Sequence, residues 1–374
     1  MRMGRLLVLL FVLSLALSVT PLTSDADSSK GRGIIVKRDA AERFIVLDAG
    51  VKRPEGLTAN PDNGDLFVAT FDGGPDAKNK LLRFDRRGRL EAAIEFGTAP
   101  LLGLEFNRKD HKVYICNVGM SKIQRVPADF KSSSTTTQVE DVADLPKIGA
   151  PPALDVPNPD GSKDTITFGN TSPAPNAMTF STNGDLFISD SFQGAIFKIS
   201  NAAFCTTPCT VDTVKHDGRL ATVGFPPFGA NGLALNKLET KLFVANTRDD
   251  RVLVLDLTVK DKDADNISVF AETLNGADGL LMDRWGRLWV CANQADEIVG
   301  LSATGRVIAK LGNFFGINED GTPRGLLFPA SNVIVGDYMF VTNLANHLTG
   351  HDEPEADVTR WTISRLRVPR PDEN

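Results

Sequence analysis

Apolar residues along this chain gather in short runs separated by turn-forming clusters. One run, "LFVATF", begins at Leu66. Similar runs begin at Val113 ("VYICNV"), Leu186 ("LFISDS"), Leu242 ("LFVANT"), Leu288 ("LWVCA") and Met339 ("MFVTNL"). Each has a β-branched or aromatic centre and a small residue in fourth place: Ala69, Cys116, Ser189, Ala245, Cys291 and Thr342. Runs this short, bounded by turns such as "PDNG", "STNG" and "RWGR", predict buried strands. Another apolar run precedes each of them. Several are followed by a third, such as "KLLRFD", "GAIFKI" and "RVLVLDL".

A unit of several strands recurring about every 50 residues is the signature of a β-propeller. Six copies predict an all-β, six-bladed propeller over residues 29–374. The run "RFIVLD" near residue 43 precedes the first unit and is expected to complete the last blade and close the ring. Residues 131–175, rich in Ser, Thr and Pro, read as an insertion between blades 2 and 3, either a disordered loop or a lid over a substrate.

Aligning the repeats brings one position of each innermost strand to the axis. It holds Glu55, Leu102, Asn176, Asn231, Asp278 and, in the last repeat, Ser331. Small residues follow most of them, which lets neighbouring backbones approach. A single Asn-Gly or Asp-Gly would read as a strand-end cap. Four oxygen-bearing side chains (Glu55, Asn176, Asn231, Asp278) at equivalent positions instead make a hard-ligand set, suited to Ca2+ or another divalent cation.

The formal net charge of −6 leaves no basic excess for nucleic acid. Arg2 and Arg5 ahead of the apolar run Leu6–Leu17 predict a signal peptide, with a short N-terminal segment after it, over residues 1–28. The expected location is therefore secreted, extracellular or periplasmic, with no stable membrane insertion after cleavage. "CTTPC" is expected to close a local Cys205–Cys209 disulfide, while Cys116 and Cys291 stay apart in buried strands. Of the histidines, His347 and His351 fall in the loop of the last blade, and His347 is the candidate histidine base.

The segments "PEGL", "NAMTFSTNGDLFISDS", "NGLALNKLETKLFVAN" and "ADGLLMDRWGRLWVCA" resemble the regucalcin/gluconolactonase family, related to the paraoxonases and diisopropylfluorophosphatases. The resemblance implies a catalytic divalent ion, usually calcium, held by Glu55, Asn231 and Asp278, with Asn176 as ligand or substrate contact. It also implies hydrolysis of a small-molecule lactone or ester, with Asp278 as the base. Two departures are visible. Leu102 stands where paraoxonases carry a catalytic histidine, and Ala174 where gluconolactonase-like members often carry an arginine. Leu102 points to an apolar substrate portion, with Asn176 and Ser331 as further substrate contacts. Two other readings stay open: a non-catalytic binding propeller with a structural ion, and a strictosidine-synthase-like enzyme.

Overall fold

The computed structural model describes residues 33–261, 263–348 and 353–371. The signal segment and His351 lie outside the described residues. Five four-stranded antiparallel sheets and one five-stranded sheet account for the repeats. Their innermost strands are Pro54–Ala59, Leu104–Asn107, Pro175–Phe180, Ala230–Leu235, Ala277–Met282 and Pro329–Val335, for blades 1 to 6 in that order. These six strands touch one another in a closed cycle, the last against the first. The propeller expected from the repeats is therefore the observed fold.

Packing follows from the alternation of the strands. One apolar cluster fills each interface between neighbouring blades, six in all. Phe67 and Leu81 of blade 1, for example, meet Leu104 and Val113 of blade 2. The small fourth residue of each repeat lies in this closely packed layer, and all six are fully buried. Each interface is a sheet-on-sheet core, so no blade buries its faces alone.

Closure comes from the N-terminal side. Strand Glu42–Val46 pairs antiparallel with Thr362–Arg367 as the fourth strand of blade 6. Just before it, Ile35–Lys37 adds a parallel fifth strand to the outside of blade 5. The stretch 131–175 is divided in the structure. Glu140–Asp144 is the outermost strand of blade 2, and Leu154–Pro157 with Lys163–Ile166 forms a separate two-stranded ribbon. Gln193 ties the segment to blade 3, accepting from the Ile148 and Gly149 amides and donating to the Pro146 carbonyl. The Cys205–Cys209 disulfide is formed, and Cys116 and Cys291 are buried and unlinked. Among the described residues no helix is long and apolar enough to cross a membrane.

One charged group is buried with every partner in place. Arg125, on the third strand of blade 2, grips the Glu140 carboxylate through Nε at 2.9 Å and Nη2 at 2.7 Å. Its Nη1 donates to Tyr114 Oη at 2.9 Å and to the Ala202 carbonyl at 3.0 Å. Tyr114 in turn donates to Asp110 at 2.8 Å. The guanidinium beside it, with Lys112, holds the Glu140 carboxyl down to about 2.

Candidate metal centre

Five of the innermost strands begin with a β-bulge. In blade 1, Pro54 pairs with Thr70 and Leu57 with Val68, so Glu55 and Gly56 oppose a single residue. The same two-against-one step falls at Asn176–Ala177, Asn231–Gly232 and Asp278–Gly279. A bulge re-aims the side chain it carries, which is how these four residues leave the sheet's ordinary alternation.

Glycine after the ring residue is a steric requirement. A Cβ on Gly56 would lie 2.1 Å from the Leu102 carbonyl oxygen, and one on Gly103 2.5 Å from that of Asn176. Gly232 and Gly279 meet the Asp278 and Ala330 oxygens in the same way, at 2.2 and 2.5 Å. These contacts step from each ring residue to that of the next blade, and they correct one assignment. The sixth ring position is Ala330, because the blade 6 bulge lies between Pro329 and Asn332 and Gly279 abuts Ala330. Ser331 takes the place of the following glycine and lines the channel below the ring.

Glu55, Leu102, Asn176, Asn231 and Asp278 line one small cavity of about 30 Å³ on the axis. That is space for an ion or a couple of waters. Phe71, Phe228, Phe328, Leu344 and Leu348 cover it with apolar surface. Phe71 meets Phe228 edge-on with ring centroids 6.2 Å apart.

Three polar residues missed in the sequence reading support the ring. Asn176 donates to Ser191 Oγ at 2.8 Å, Asn231 to Thr247 Oγ1 at 2.9 Å, and Asn293 to Asp278 Oδ2 at 2.9 Å. Ser191, Thr247 and Asn293 all stand sixth in the repeated run, two places after the small fourth residue, so a column of six-residue repeats holds the signal. In blades 1, 2 and 6 that column reads Phe71, Val118 and Leu344. One half of the site is thus polar and the other apolar.

The electrostatics of the ring are unbalanced. Glu55 and Asp278 are 4% and 5% exposed. Burial pushes the Glu55 carboxyl well up, and the nearby Asp278 charge adds to the shift. Burial likewise pushes Asp278 up to about 7, against hydrogen bonds from Asn293 and Asn231 that hold it down. Glu55 Oε2, Asn176 Oδ1 and Asn293 Oδ1 are buried with no hydrogen-bond partner. A pair of buried carboxylates beside two amide oxygens without a donor is what a hard divalent cation would satisfy. Among the described residues no cluster of three or more His, Cys, Asp or Glu side chains could hold a metal, so amide oxygens would have to complete the set. His347 stands apart: its neighbours Asn346 and Leu348 line the cavity, whereas its Nε2 lies 3.8 Å from the Glu353 carboxylate.

Similar propellers are known. A luciferin-regenerating enzyme superposes with a TM-score of 0.60 at 12% identity, covering 85% of this chain and 92% of its own. Regucalcin, a calcium-binding protein from Agrobacterium tumefaciens strain C58, gives 0.56 at 14% identity, over 90% and 97% of the two chains. A putative gluconolactonase gives 0.53 at 14% identity, over 90% and 96%. At these identities the likeness is one of fold. A search of curated protein sequences found no match. Residues 211–312 match the family model described as "SMP-30/Gluconolactonase/LRE-like region"; they include Asn231 and Asp278. That match, across blades 4 and 5, is to the same family that the repeat motifs resemble.

Proposed function

We propose that the protein is a metal-dependent hydrolase that opens a lactone or related ester bearing an apolar portion. The observation that carries this reading is the pair of buried carboxylates, Glu55 and Asp278, beside amide oxygens that nothing in the chain satisfies. Glu55, Asn176, Asn231 and Asp278 would hold Ca2+ or a similar divalent ion. Such an ion, when bound, supplies Lewis-acid polarisation of a carbonyl and positive charge for a developing oxyanion.

The chain's own residues do the rest. Ser191 and Thr247 accept the amide protons of Asn176 and Asn231 and so turn the two amide oxygens toward the cavity. Asn293 fixes the Asp278 carboxylate by its donated hydrogen bond. Asp278 is our choice of base for removing a proton from the attacking water, because it stands within the ring; His347 is directed to Glu353. Leu102, Phe71, Phe228 and Leu344 would receive the apolar part of the substrate and exclude bulk water. The Cys205–Cys209 disulfide supports an oxidising, secreted setting.

The test is a panel of lactones, esters and phosphotriesters offered to the purified chain with and without chelator, alongside calorimetric titration of Ca2+. Chelator-sensitive hydrolysis together with ion binding that is lost in Glu55→Gln is the expected result. Absence of ion binding to the wild type would overturn the proposal.

A further inference from the structure

Below the ring the central channel widens into a second cavity of about 550 Å³, within the range of small-molecule sites. The ring residues do not line it. Its wall includes the position three residues beyond each of them: Thr58, Glu105, Thr179, Ala234, Leu281 and Val333. Blades 1 to 3 therefore give it a polar side, and blades 4 to 6 an aliphatic one.

Glu105 is the sole acid in that layer. It has no hydrogen-bond or ion-pair partner among the described residues, and burial alone pushes its carboxyl up to about 8. The other acid of the cavity, Glu239, is occupied: its carboxylate accepts from the Thr182 amide at 2.7 Å and hydroxyl at 3.1 Å. Arg108 and Lys237 also line the cavity, both exposed, and neither pairs with Glu105. Glu105 is half-buried in the cavity wall; a carboxylate largely withdrawn from water without a counter-charge is costly, and a ligand can supply what the chain omits.

We infer that the lower cavity binds a small organic cation, its ammonium group on Glu105 between Thr58 and Thr179 and its apolar body against Ala234, Leu281 and Val333. One carboxylate and two hydroxyls are too few for Ca2+, which takes six to eight oxygens. An anion would be repelled, and a neutral apolar molecule would leave Glu105 unpaired. The site is independent of the hydrolase reading, because the ring residues do not enter it.

Hexylammonium titrated into the full chain in the presence of chelator tests the inference by calorimetry. Saturable one-to-one binding is expected, at least about tenfold weaker in Glu105→Gln, at least about tenfold weaker for hexanol, and unchanged in Asp278→Asn. Glu105→Gln keeps the side chain's shape and removes an uncompensated acid, so its melting temperature should equal or exceed that of the wild type. Leu281→Lys, which sets a fixed cation across the cavity, should also abolish binding. Equal binding to wild type and Glu105→Gln, loss in Asp278→Asn, or no binding at all would overturn the inference.

Discussion

Arg125 and Asp278 are buried to nearly the same degree, 6% and 5% exposed, yet their surroundings follow opposite rules. Around Arg125 the chain supplies a carboxylate, a phenol and a carbonyl, so nothing further is needed. Around Asp278 it supplies a second carboxylate and amides whose oxygens face no donor. The first arrangement stabilises the fold; the second stores an electrostatic deficit that a bound cation can offset. Degree of burial alone would not separate the two. What separates them is whether the partners' charges balance.

The largest expected effect strikes the unbalanced site. Asp278→Asn should lose calorimetric ion binding and reduce hydrolysis by about a hundred- to a thousand-fold, the equivalent of several kcal/mol of transition-state stabilisation. Retained turnover in that variant would make the ring structural and not catalytic. At the balanced site, Arg125→Ala should cost about 2 kcal/mol in denaturant melts, through lost packing and lost hydrogen bonds, because Glu140 keeps Lys112 and Tyr114 keeps Asp110. That loss should be the same with calcium or chelator present.

The sharpest test of the contrast is one of sign. In chelator, Glu55→Gln should raise stability by about 1–2 kcal/mol, since it removes one of two buried like charges. Added calcium at about a hundred times its dissociation constant should stabilise the wild type by about 2.7 kcal/mol and leave the variant unmoved. A destabilised metal-free Glu55→Gln would mean that the carboxylate is already compensated.

The pH dependence has two halves that oppose each other, and the Glu140 half is the smallest effect of all. Glu140 is held at about 2 against an ordinary 4.5. Its contribution is present above pH 4.5 and lost as pH falls toward 2; solvent contact of this side chain limits it to about 1 kcal/mol or less. Asp278 is raised from 3.8 to about 7, so metal-free protein should lose stability as pH rises through that window. Melts of Glu140→Gln and Asp278→Asn against wild type across pH 2.5–7.5 should show these opposite slopes.

Much of this architecture is legible in the sequence because a propeller repeats. The strand runs, the closing strand near residue 43 and four ring residues all emerge from aligning one column. Blade 6 defeats the alignment for a physical reason. Its bulge reads Ala330–Ser331–Asn332 where blade 5 reads Asp278–Gly279–Leu280, so the eye slides one residue to Ser331. The oxygens of Asn176 and Asn293 could be suspected from composition, but their lack of partners depends on packing between blades. Glu105 gives no sequence signal at all: an acid on a short strand is ordinary, and only the closed ring makes it solitary. The strand Glu140–Asp144 is hidden by the polar stretch before it.

The pairing of Glu42–Val46 with Thr362–Arg367 has a consequence for how the molecule is made. Glu42 and Arg365 are joined by a hydrogen bond across 323 residues of sequence. During synthesis the first of these strands emerges early and has no sheet to join until almost the whole chain has followed. Until then blade 6 lacks its outer strand and presents an open edge, the kind of surface that recruits other chains. Ring closure is therefore the last event available to this polypeptide, and a nascent chain stalled before Thr362 would carry five blades' worth of sequence without the strand that receives its beginning.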